Sequence, residues 1–185
     1  AIHLVEHQRR YRIGLGQNDF QGQQKARQLA AGCDLRQRSG RQAGIRRHFE
    51  GDAVERFVAK MLEKAATLAR VETLAEVGAE VARFVASVQA SPRLCVSKAL
   101  AAIDWPPGFD IAYRAAQRSD ETSVTPCYAA VAESGGIVTL SGPDTPSTLN
   151  FVPDNHIVIV QAAQVVRDFE DVWTQWRASG RPMPR

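Results

Sequence analysis

A chain of 185 residues can enclose a sizeable core, and its 44% hydrophobic and 23% charged content is that of an ordinary globular domain rather than a disordered or fibrous one. No apolar run approaches the roughly 18 residues of a membrane-spanning helix, and no charged segment followed by an apolar stretch opens the chain, so the expectation is a cytoplasmic protein without membrane association. The net charge of +3 is unevenly placed: residues 1–48 carry ten basic against three acidic side chains, a balance of +7, whereas 49–185 carry 13 basic against 17 acidic, −4.

Residues 1–48 are rich in Gln, Arg and Gly and show no clean apolar stripe, which reads as a basic, flexible arm preceding a domain over 49–185. Text of this kind is also what a shifted reading frame in GC-rich DNA gives. A nucleic-acid-binding arm is the weakest of the three readings, because no aromatic residue interleaves the arginines of 21–47. Within the arm, GLGQND (14–19) lacks the third glycine and the strand–helix setting of a dinucleotide fingerprint. His3 and His7 have a spacing that could grip a metal on a helix, but no third ligand is in reach.

From residue 49 the pattern is orderly. Asp52 predicts an N-cap, with Glu55 as its capping-box partner, for a helix whose face is Val54, Phe57, Val58, Met61 and Leu62. TLARV (67–71) reads as a strand. Thr73 then caps a second helix facing Leu74, Val77, Val81, Phe84, Val85 and Val88. RLCVS (93–97) and FDIAYR (109–114) read as strands on either side of a helical turn, KALAAI, and a Pro-Pro-Gly break. A short helix is expected over 124–134, with Thr125 as N-cap and Pro126 at its first position. GIVTLS (136–141) and HIVIVQ (156–161) are continuous apolar strands of the kind buried on both faces. A last helix, 163–179, carries Val165, Val166, Phe169, Val172, Trp173 and Trp176. Such alternation predicts an α/β three-layer sandwich with a mostly parallel sheet, and ligands beyond the carboxyl ends of its strands.

The chemistry-bearing candidates cluster in 132–160. Glu133, at an expected helix C-terminus, stands against the helix dipole, which suits an acid, a base or a nucleophile; as a plain surface residue it would simply close the helix. Ser134, Gly135 and Gly136 form a turn that could cradle an anion, or only allow a tight reversal. The long loop after it offers Ser141, Gly142, Thr145, Ser147, Thr148 and Asn150 to a small polar ligand or to its own turns. His156 opens the next strand, where a histidine more often serves structure than catalysis; Asp154 and Asn155 are placed to orient it. Cys33, Cys95 and Cys127 form no CxxC pair, so no metal or iron–sulfur site is expected in this chain. No nucleophile elbow of the G-x-S-x-G type is present.

The segment VTPCYAAVAESGGIVTLSGPDTPSTLNFVPDNHIVIVQAAQVV resembles the signature region of the lactate-utilisation LUD-domain family, in its short form, the C component of the Lut system. The matching elements are Ala129 through Gly136, then Ser141-Gly142-Pro143, then Pro153 through Val158. The upstream ERFVAKMLEKAATLARVETLAEVGAEV is similar to the family's opening helix, strand and helix, and Trp105 sits where an L-D-W element is common. Gly136 stands in place of the family's Thr or Ser. The chain ends at GRPMPR, where relatives continue to a G-P-S-R-T-x-D-I-E segment.

The resemblance implies a fold similar to sugar-phosphate isomerases and CoA transferases. It also implies a non-redox role in oxidising L-lactate to pyruvate beside iron–sulfur partner subunits, with no cofactor in this chain and self-association left open. Two rivals remain. One is an independent transferase or isomerase acting on a small phosphorylated or CoA-linked acid, with Glu133 as its nucleophile or base. The other is a binding module whose basic arm contacts nucleic acid.

Overall fold

Alternation along Asn155–Gln161 sets the layers of the molecule. Ile157 and Ile159 enter one core with Val77, Val81, Phe84 and Val85, while Val158 and Val160 enter another with Phe57 and Met61. A strand clothed on both faces must be apolar where it is covered, as Ile157, Val158, Ile159 and Val160 are. The computed structural model describes residues 51–182 and the backbone of a strand at Ile2–Gln8. The predictions for Cys33, for GLGQND and for most of the 1–48 arm lie outside the described residues.

In chain order the strands are β1 (Ile2–Gln8), β2 (Thr67–Val71), β3 (Arg93–Val96), β4 (Asp110–Ala112), β5 (Thr122–Pro126), β6 (Ala129–Val131), β7 (Gly136–Val138), β8 (Asn155–Gln161) and β9 (Val165–Val166). The α-helices are α1 (Ala53–Glu63), α2 (Val77–Ser87), α3 (Thr148–Phe151) and α4 (Phe169–Ala178). Six strands form the main sheet in the order β2-β1-β8-β5-β3-β4. The pairs β8·β5, β5·β3 and β3·β4 are parallel, and β1 runs antiparallel to both neighbours. Five of the six strands therefore share one direction, and the expected α/β three-layer sandwich with a mostly parallel sheet is what is found. Residues 2–8, counted by composition with the arm, form a strand of this sheet, so His3 and His7 have strand rather than helix spacing.

Helix α2 covers one face. Val77, Val81, Phe84 and Val85 are all buried, and each full burial of such a side chain is worth about 1.5–3 kcal/mol. Gly78 lets the helix approach the following loop: a Cβ there would lie 2.1 Å from the Asp104 carbonyl oxygen. Helix α1 covers the other face through Phe57 and Met61. Asp52 caps it as predicted, its Oδ1 accepting from the Val54 and Glu55 amides at 2.7 and 3.4 Å. Glu55 accepts from Arg70 of β2 at 2.8 Å, tying helix to sheet where a reciprocal capping box is expected. No helix among the described residues is long and apolar enough to cross a membrane.

Beside α1 lies a second sheet of three strands, β7-β6-β9. Ala130 and Ala132 face the α1 core, and Ala129 and Val131 face α4 with Val166 and Val172. Here the sequence prediction fails. The expected helix 124–134 is two strands, β5 and β6, because its residues are small or β-branched and buried on both faces: a strand pattern with no helical stripe. The apolar run 136–141 supplies only three strand residues, paired antiparallel with β6 in this small sheet. The last helix begins at Phe169, capped by Asp168, after a 3₁₀ turn at 162–164 and β9.

Candidate functional site

The turn 132–135 folds β6 back as β7 and sets its glycines on α1. Gly135 has φ +64° and lies so close to the helix that a Cβ would come 2.9 Å from the Lys60 Cβ. Lys64, the residue that ends α1, donates from Nζ to the Ser134 carbonyl at 2.6 Å. Three amides of the turn are occupied: Glu133 N donates to the Arg167 carbonyl, Gly135 N to the Val131 carbonyl, and Gly136 N to Ser134 Oγ at 3.1 Å. Glu133 itself is exposed in this hairpin turn. The helix end whose dipole would oppose its charge is a strand end instead.

Between α1, β7, α3 and β8 lies a cavity of about 380 Å³. Met61, Ala66, Ile137 and Val158 give it an apolar floor, and Lys64, Gly135, Thr139, Asn150 and His156 supply its polar groups, with Phe151 at the rim. Three residues flagged by the sequence, Gly135, Asn150 and His156, are thus brought together from three separate segments. His156 is fixed from below by β5: its Nε2 lies 2.8 Å from Oγ1 of fully buried Thr125, and the ring's tautomer decides which atom donates. Asn150 donates from Nδ2 to Thr139 Oγ1 at 2.9 Å, while its Oδ1 is buried without a partner. Among the described residues the cavity has one ammonium, an imidazole, an amide and a hydroxyl, and no carboxylate. That set can bind a small anion, and the imidazole can take or give one proton.

The other flagged residues lie elsewhere. Thr148 Oγ1 accepts from the Ala116 amide at 3.0 Å, and Gly142 exchanges backbone hydrogen bonds with Thr145. Ser141 borders a different cavity. The loop 139–147 does reach the carboxyl end of a strand, since Asp144 O accepts from Lys98 N and Ser97 Oγ at 2.9 Å, and Ser97 Oγ lies 2.6 Å from Thr145 Oγ1. His156, however, is the second residue of β8, at its amino end. The cavity therefore opens beside the sheet and not beyond the carboxyl ends expected of such folds.

Comparison with protein families decides the lineage: residues 54–185 match the model of the LUD domain. The chain belongs to the lactate-utilisation LUD-domain family. Comparisons with curated proteins and with solved structures gave no match. The hairpin turn, the loop, the helix α3 and strand β8 around the cavity all lie within the matched span of this LUD domain.

Of the three cysteines, Cys95 and Cys127 lie among the described residues. Cys95 and Cys127 are buried in separate clusters. Burial pushes the Cys127 thiol up to about 12, and burial together with the Asp120 carboxylate raises Cys95. Among the described residues no group of three His, Cys, Asp or Glu side chains is placed to hold a metal. Sequence reasoning missed Thr125, Lys64 and Thr139 at this site. Thr125 was assigned to a helix cap, and the other two became visible only once the hairpin folded onto α1.

Proposed function

We propose that this LUD domain is a non-redox subunit supporting the oxidation of L-lactate to pyruvate, acting beside iron–sulfur partner proteins that carry the electrons. The observation that carries this reading is the family match over 54–185, a span that includes every residue lining the small polar cavity. In this reading Asn150 and His156 bind a small anion with Lys64 as its counter-charge, Gly135 forms the wall where the hairpin meets the helix, and the exposed Glu133 belongs to the partner-facing surface. Thr125 positions the His156 ring.

Growth on two carbon sources tests it. A strain lacking the gene, and lacking any other lactate dehydrogenase, is expected to fail on L-lactate and to grow on pyruvate. The wild-type gene restores growth on lactate, and His156→Ala does not, although that protein accumulates to the same level. Normal growth of the deletion strain on both substrates overturns the assignment to lactate oxidation.

A further inference from the structure

A second cavity, of about 830 Å³, lies on the opposite face of β7. Ile137 points to the His156 cavity and Val138 to this one, as successive strand residues must, and Thr139 borders both. The volume is within the roughly 300–1,000 Å³ of cavities that enclose small organic ligands. Its walls are aromatic: Tyr128, Phe169, Trp173 and Trp176. Phe169 and Trp173 remain 43% and 42% exposed, an apolar surface that no other described residue covers.

One charge faces these rings. The Arg181 guanidinium carbon stands 6.0 Å from the Tyr128 ring centroid and 5.8 Å from that of Trp176, and those two rings meet edge to face at 5.5 Å. Arg70, Arg83, Arg93 and Arg114 each pair with a carboxylate. Among the described residues the Arg181 guanidinium has ring contacts alone, and no acidic side chain lines the cavity. The hydroxyls of Tyr128 and Ser141, on the same walls, have no hydrogen-bond partner among the described residues either.

Aromatic walls call for a flat apolar body, and a guanidinium with only ring contacts among the described residues, in a cavity that also offers two hydroxyls, calls for an anionic head. We infer that this cavity is a binding site for a small planar aromatic anion, an aryl carboxylate, sulfonate or phosphate. Its ring lies against Phe169, Trp173 and Trp176, and its anionic group is held by Arg181 with Ser141 and Tyr128. The site is separate from the His156 cavity and does not depend on the role in lactate oxidation.

The probe pair is 1-anilinonaphthalene-8-sulfonate, which has the ring and the charge, and N-phenyl-1-naphthylamine, which has the ring alone. The full chain is expected to bind one equivalent of the sulfonate, with quenching of tryptophan emission. Arg181→Gln should weaken the sulfonate at least ten-fold and leave the neutral amine unchanged, and Trp173→Ala should weaken both. Both side chains are exposed, so near-ultraviolet circular dichroism and the thermal transition are expected to show intact folds in the two variants. Absence of saturable sulfonate binding, or binding that neither substitution changes, overturns the site. Equal weakening of both probes by Arg181→Gln overturns the anionic assignment.

Discussion

Thr125 Oγ1 and His156 Nε2 meet at 2.8 Å across the parallel strands β5 and β8, joining a fully buried hydroxyl to the wall of the cavity. The bond holds the imidazole from the β5 side at the wall of the cavity. It also makes the strand pair and the site one mechanical unit, because β8 cannot shift against β5 without moving the ring.

Thr125→Val keeps the shape of the side chain and removes its hydroxyl. It is expected to cost about 1–2 kcal/mol, the usual cost of leaving a buried polar group without its partner. The urea midpoint should fall while the slope of the transition stays the same. Growth on lactate should fall as well, because the His156 ring loses its support. A variant as stable as wild type would show that the bond contributes nothing to the fold.

Acid stability rests on a different pair. Arg114 donates to both oxygens of Asp120 at 2.7 and 2.8 Å, and the Gln117 amide donates to the same carboxylate at 2.7 Å. The Asp120 side chain is 1% exposed and that of Arg114 36%. The guanidinium holds the carboxyl below its ordinary value of 3.8. A depressed folded-state value means that the unfolded chain binds the proton first. The stabilisation is thus complete above about pH 4 and is lost as the pH falls from there through the folded-state value. Asp120→Asn should cost about 2–4 kcal/mol at neutral pH, toward the lower end because Arg114 is partly solvated. It should also flatten the acid limb of a plot of stability against pH. An unchanged acid limb would remove Asp120 from the account.

Much of the fold was legible in the sequence, and the failures have one cause. The helices α1 and α2 show their faces at helical spacing, and β8 shows its burial as an unbroken apolar run. The stretch 124–134 is also apolar, but short apolar runs have no period that separates strand from helix. Reading it as a helix hid the second sheet and, with it, the hairpin that places Gly135 on α1. In α4, which the sequence shows to carry Phe169, Val172 and Trp173, only Val172 of the three is buried. Gly135, Asn150 and His156 were visible as unusual residues. Lys64 and Thr139 were not, since their part in the cavity depends on contacts between segments some 70 residues apart.

Three glycines give a graded test of close approach. A Cβ at Gly78 would stand 2.1 Å from a backbone oxygen, which cannot swing aside; at Gly135 it would meet the Lys60 Cβ at 2.9 Å on a backbone of φ +64°; at Gly142 nothing lies within 4 Å. Gly78→Ala is expected to lose at least about 3 kcal/mol and Gly135→Ala about 2 kcal/mol, from overpacking and from left-handed backbone strain. Gly142→Ala should change stability by less than about 0.5 kcal/mol. Thermal denaturation of the three variants checks the order. A Gly78→Ala protein as stable as Gly142→Ala would contradict the packing of α2 on the Asp104 loop.

Thiol reactivity distinguishes structural from functional cysteines. Cys127 packs with Phe57, Ala130 and Val158, and burial raises its thiol to about 12. At pH 8 the thiolate is therefore about one part in ten thousand, and it is the thiolate that reacts. Cys95 is fully buried, with its Sγ 3.3 Å from the Arg114 carbonyl, and its thiol is raised by the same cause. A short pulse of iodoacetamide at pH 8, read by peptide mass spectrometry, should leave both residues unmodified in the folded protein. Both should be labelled once denaturant unfolds it. Rapid labelling of Cys127 under native conditions would mean that β6 and α1 separate far more readily than their packing allows.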